Sequence, residues 1–111
     1  MNTDIMRVEF SHHIDASEAD AEGFYAYYYE YDIYRFTLGG LSLVMRSYSD
    51  TWEQASVLRL EEAGKSRPLQ PKDLKMPLVQ QAREHLQSLG KQELRWFNPR
   101  HARYDLLWAS R

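Results

Sequence analysis

The sequence predicts one α+β domain: an antiparallel sheet of about five or six strands, carrying two hairpins, with one main α-helix packed on one sheet face. Three observations carry that reading. Apolar and polar side chains alternate with a period of two over 5–12 and again from 23 into the forties. A Gly39-Gly40 pair interrupts the alternation where a two-residue hairpin turn would sit. Only one segment, 74–89, switches to helical spacing.

Taken in order, Met6, Val8 and Phe10 alternate with Ile5, Arg7 and Glu9, the pattern of a half-buried strand. Residues 15–22 are small and acidic and read as a loop or a short helical turn. From Gly23 the β-signal is dense. Tyr25, Tyr27, Tyr29 and Tyr31 fall on one strand face, with Phe24, Ala26 and Tyr28 on the other. Tyr34, Phe36 and Leu38 lead into Gly39-Gly40, and Leu41, Leu43 and Met45 resume beyond it. Asp50 or Thr51 can cap a helical turn through Ala55, and Val57, Leu58 and Leu60 suggest a further short strand. Residues 61–73, with Gly64, Pro68 and Pro71, read as a linker-like loop. Leu78, Ala82, Leu86 and Leu89 then mark the helix, with Pro77 in its first turn and Gly90 at its C′ position. Leu94 and Trp96, a turn at Asn98–His101, and Tyr104, Leu106 and Trp108 form the closing hairpin.

A chain of 111 residues has room for one domain spanning 1–111 and one core. The absence of cysteine excludes disulfides, thiolate metal sites and cysteine nucleophiles. Met1–Asp4 show no basic region followed by an apolar run, so no signal peptide is expected, and the longest apolar runs fall well short of the roughly 20 residues a membrane helix needs, so a cytoplasmic location is expected. A net charge of −2 hides an asymmetry: residues 1–62 hold twelve acids against four bases, and residues 63–111 hold ten bases against four acids. The two halves can neutralise each other on one surface, or the acidic half can steer a basic partner.

No motif for catalysis stands out, so no cofactor, metal or catalytic residue is expected. Adjacent His12 and His13 on a strand point to opposite faces and cannot jointly ligate a metal. Glu30 and Asp32 share a strand face, as an acid/base pair would, but no cleft signature accompanies them. Gly39-Gly40 lies between strands rather than before a helix, unlike a phosphate loop. The basic-aromatic C-terminal segment (Arg95, Arg100, His101, Arg103 and Arg111 among Trp96, Phe97, Tyr104 and Trp108) could contact RNA or an anionic ligand, yet the acidic half can neutralise it and nucleic-acid binding is not expected.

The most distinctive feature is the tyrosine row. Tyrosine offers rigid amphipathic contact area at small entropic cost, so a row of them on a sheet suits a binding surface. The leading expectation is therefore a small non-enzymatic protein-interaction module of bacterial type. It would resemble an inhibitor or immunity protein, binding another protein through an acidic, tyrosine-rich sheet face. The expected residues are Tyr25, Tyr27, Tyr29, Tyr31, Glu30, Asp32, Arg46 and Tyr48. The alternative is a small-ligand-binding domain, or weak enzyme, with Arg46, Tyr48 and His101 lining a pocket between sheet and helix. A homodimer through a strand edge or the tyrosine face is a third reading.

Overall fold

The computed structural model describes residues 5–110 and is elongated, with extents of 61 × 29 × 29 Å. Seven strands form one mixed, mostly antiparallel sheet: β1 (Arg7–Ala16), β2 (Tyr28–Leu38), β3 (Leu41–Tyr48), β4 (Gln54–Glu62), β5 (Lys65–Arg67), β6 (Glu93–Asn98) and β7 (Arg103–Ala109). The single α-helix, α1, spans Pro77–Ser88. Short 3₁₀ turns occupy Ser49–Thr51 and Pro71–Lys75. The strand order is β1-β2-β3-β4-β6-β7, and β5 pairs with β4 off that path. Among the described residues, no helix is long and apolar enough to cross a membrane.

The β2–β3 turn follows from its glycines. Gly39 and Gly40 both take positive φ, +58° and +84°, as a two-residue hairpin turn of primed type requires. Two corrections apply to the expected sheet. The segment 61–73 is not simply a loop, because Ala63 and Gly64 turn the chain at φ +52° and +79° and β5 folds back on β4. Nor is the sheet purely antiparallel: β4 and β6 run parallel through Gln54–Glu93, Ala55–Leu94 and Ser56–Arg95. A parallel pair needs a long crossover, and the segment containing α1 supplies it.

Helix α1 lies on one face of the sheet. Leu78, Val79, Ala82 and Leu86 are buried against Tyr34, Phe36, Leu43, Met45, Val57, Leu60, Leu94 and Trp96. A register shift opposite Val44 and Met45 leaves Leu58 as an extra residue in β4. Ala55 and Val57 before the bulge and Leu60 after it therefore all face the helix, although their spacing breaks simple alternation. On the opposite face Arg35 of β2 and Arg59 of β4 both bind the Glu61 carboxylate, tying strands together across β3. Their two guanidinium hydrogen bonds, that of Arg59 foremost, hold Glu61 below the ordinary carboxylate range.

The elongation comes from the β1–β2 hairpin. Its last three-strand level is Tyr31 paired with Tyr48, so residues 14–30 run on as a two-stranded ribbon without a β3 neighbour. The acidic stretch expected as a loop or helical turn is the tip of this ribbon. There Asp20 Oδ1 accepts the backbone N–H groups of Glu22 and Phe24, both at 2.9 Å, and Gly23 takes φ +86°.

Candidate functional site: the aromatic face opposite the helix

Strand alternation and the β1–β2–β3 register decide which side chains meet. Residues of even number in β2 pair with Leu41, Leu43, Met45 and Ser47 and share the helix-covered face. Those of odd number share the opposite face with Ser42, Val44, Arg46 and Tyr48. Tyr29 and Tyr31 therefore project away from the helix.

There they join an aromatic cluster. Tyr27 stacks on Tyr29 with centroids 6.1 Å apart, Tyr29 meets Tyr48 at 6.1 Å, and Tyr31 meets Tyr48 edge-on at 5.9 Å. The Arg46 guanidinium lies 4.6 Å from the Tyr48 centroid and 6.0 Å from that of Tyr31, a cation–π arrangement that holds the rings in place. His13, from β1, stacks on Tyr31 at 5.3 Å and 16°. Tyr27 and Tyr29 remain half-exposed. Two shallow depressions flank the cluster. One, of about 190 Å³, is lined by Tyr28, Tyr29, Glu30, Tyr48, Ser49 and Asp50. The other, of about 340 Å³, includes Ser11, His13, Ile33 and Arg35.

Three expected members lie elsewhere. Tyr25 precedes β2, pairs in an isolated bridge with Ala19, and packs against Tyr28 at 5.5 Å, so the row begins at Tyr27. Glu30 and Asp32 have even parity and turn to the other face, where they grip His12. Its Nδ1 lies 2.6 Å from Asp32 Oδ1 and its Nε2 lies 2.8 Å from Glu30 Oε2. Both ring nitrogens donate only in the imidazolium, and these two hydrogen bonds, with Asp32 foremost, raise the His12 pKa above its ordinary value. The acidity near the tyrosines comes instead from Asp15, whose register partner is Tyr29, and from Glu18, Asp20 and Glu22 at the ribbon tip. Residues 8–34 contain no lysine or arginine.

The pocket between sheet and helix also changes. Arg46 and Tyr48 sit on the face away from α1, and His101 sits in the β6–β7 turn with Asn98 and Asp105. These three residues do not converge.

Two residues take places that the sequence did not assign them. His13 completes the aromatic cluster, and only the β1–β2 register reveals it. Lys91 is 6% exposed, and its Nζ donates to Ser47 Oγ at 3.0 Å and to the Trp52 carbonyl. The Trp52 and Tyr34 rings lie 5.5 and 5.9 Å from that nitrogen. Burial pushes the ammonium below the ordinary lysine range, opposed only in part by Asp32 and Glu53. The one sequence cue is its position after Gly90, the helix C′ residue, which turns the chain back toward the sheet.

Among the described residues, no group of three or more His, Asp and Glu side chains is arranged to hold a metal ion. No protein-family model matches the chain, and no curated protein or solved structure is detectably similar to it.

Proposed function

We propose that this protein is a protein-interaction module, inhibitor-like in manner, that binds a basic partner protein. The contact surface is the helix-free face around Tyr27, Tyr29, Tyr31 and Tyr48, continuing along the acidic ribbon. One observation supports this reading above the others: half-exposed Tyr27 and Tyr29, stacked on each other, lie on the sheet face opposite the helix. Stacking and the Arg46 contact restrict the rings before binding, which lowers the ordering cost of an interface. Tyrosine and arginine are also the residue types that dominate binding hot spots.

The ribbon supplies steering. Its acids stand beyond the body of the domain with no base among them, so their field reaches a basic surface ahead of contact. Asp15 opposite Tyr29 places negative charge beside the aromatic surface, and the tip acids extend it. Glu30 and Asp32 contribute less, because His12 neutralises them in part.

The test is a quantitative pull-down with wild-type protein and the double variant Tyr27→Ala, Tyr29→Ala. Each ring behaves as a hot spot of about 2 kcal/mol, so the double variant loses partner binding by several hundred-fold or more. Its thermal midpoint stays near wild type, since neither ring is in the core. Raising the salt from low to physiological weakens wild-type capture through slower association. Undiminished capture by the folded double variant refutes the proposal.

A further inference from the structure

The outer edge of β1 is open. Among the described residues it pairs only with β2, through ten consecutive register positions without a bulge. Exposed edges are ordinarily protected by charged side chains, lysine above all, by proline, by a bulge or by a short length. β1 has ten residues with no Lys, Pro or Gly, and its charged side chains, Arg7, Glu9 and Asp15, are of both signs and so can pair with each other across a two-fold. Apolar side chains along it are also uncovered: Val8, Phe10 and Ile14 are 36%, 59% and 58% exposed.

We infer that β1 pairs antiparallel with β1 of a second copy about a two-fold axis through Ser11. The strand's own sequence selects the occupant and the register. With Ser11 opposite Ser11, Arg7 of each copy faces Asp15 of the other, and Glu9 faces His13. On the helix side of the sheet, Val8 faces Ile14 and Phe10 faces His12. Arg7 and Asp15 thus set opposite charges against each other, and Val8 and Ile14 apolar side chains, each pair occurring twice. Moving the axis to His12 sets Glu9 against Asp15, and moving it to Phe10 sets Ile5 against Asp15. Neither register is complementary.

The overlap from Arg7 to Asp15 forms about eight to ten backbone hydrogen bonds, depending on which alternate residues point outward. Helix α1 packs mainly against β2 and β3, toward the interior of the sheet. A two-fold perpendicular to the sheet keeps both tyrosine faces on one side of a continuous sheet. The dimer does not rest on the partner-binding proposal, because it is formed by the free backbone groups of the β1 edge, although Asp15 and His13 border both surfaces.

Sedimentation velocity over a concentration series tests the inference, using wild type, R7D, D15R and the R7D/D15R double variant. A dimer is expected for wild type. Each single variant puts like charges opposite each other at two positions and raises the dimer dissociation constant about tenfold. The double variant exchanges the signs and returns it to near the wild-type value. Within one chain Arg7 and Asp15 are about 26 Å apart along the strand, so a rescue between them reports contact between copies. Both side chains are exposed, and circular dichroism checks that the fold is retained. A monomer at every concentration overturns the inference, as do assemblies larger than a dimer, a dimer indifferent to the single variants, or a double variant no better than either. Retention of the dimer by the Tyr27→Ala, Tyr29→Ala variant excludes the tyrosine face as its interface, and loss of the dimer in that variant overturns the edge pairing.

Discussion

Replacing Lys91 by Met should change the shape of the pH–stability profile more than its height. The Lys91 ammonium is 6% exposed and donates to Ser47 Oγ and the Trp52 carbonyl, but no carboxylate forms a salt bridge with it among the described residues. Burial therefore lowers its pKa in the folded state. Between that value and the unfolded lysine pKa near 10.4, the unfolded chain binds more protons than the folded one, so stability rises with pH. One proton limits the slope to about 1.4 kcal/mol per pH unit. Above about pH 10 buried Tyr34, whose pKa is raised chiefly by burial, reverses the trend because the folded chain then holds its proton longer. Tyr34 is common to both proteins, so its effect largely cancels in their difference. Met fills similar volume without the charge, and Ser47 Oγ still donates to the Gln54 carbonyl at 2.7 Å. Urea denaturation of both proteins from neutral into alkaline pH should show wild-type stability climbing relative to the variant as Lys91 titrates, with a slope of at most about 1.4 kcal/mol per pH unit. Parallel profiles would show that the lysine charge is fully compensated in the fold and would refute the reasoning.

Two further outcomes follow from ion pairs. Asp73 is buried, receives both terminal nitrogens of Arg67 at 2.7 and 3.1 Å, and accepts the Gln70 N–H, so its pKa is lowered, the Arg67 bonds leading. Its stabilisation is present above the unfolded value near 4 and is lost as pH falls through the lower folded value. Asp73→Asn should cost about 2 kcal/mol at neutral pH, because Arg67 is partly exposed, and the difference measured by urea denaturation should shrink toward pH 2. A constant difference would show that the charge is not the cause. His12, with its raised pKa, supports the ribbon below its unfolded value of about 6.5 and withdraws that support as pH rises through the folded value. Amide exchange in β1 and β2 near His12, corrected for intrinsic rates, should therefore accelerate with pH in wild type and lose that dependence in His12→Gln; equal pH dependence in the two would sink the assignment.

Much of this fold was legible locally. Gly39-Gly40 marked its turn because positive φ leaves few residue choices, and Leu78, Ala82 and Leu86 marked α1 because every fourth residue returns to the same face. The features that escaped depend on register or on partners distant in the chain. Ala63, with its side chain, does not advertise the positive φ that closes the β4–β5 hairpin. Leu58 hid the continuity of β4 because a bulge shifts the periodicity by one. Parity put Tyr25 with Tyr27, Tyr29 and Tyr31, but Tyr25 precedes β2 and leaves the row, and the same parity separates the row from Glu30 and Asp32. Whether the row lay under the helix depended on the side taken by a segment some fifty residues away. His13 and Lys91 carried no local signal, since one joins through cross-strand register and the other through burial after a helix end.

The parallel pairing of β4 with β6 has a consequence for how the molecule opens. Three residue pairs join the two strands, whereas ten join β1 to β2 and eight join β2 to β3. The sheet thus has a seam between a four-strand meander and the β6–β7 hairpin. Helix α1, just before that hairpin in the chain, rests on the meander side against β2 and β3 and acts as the latch across the seam. Loosening the latch should release α1, β6 and β7 as one cooperative block while the meander keeps its hydrogen bonds, so the molecule would come apart along a line that topology drew rather than at its exposed ribbon.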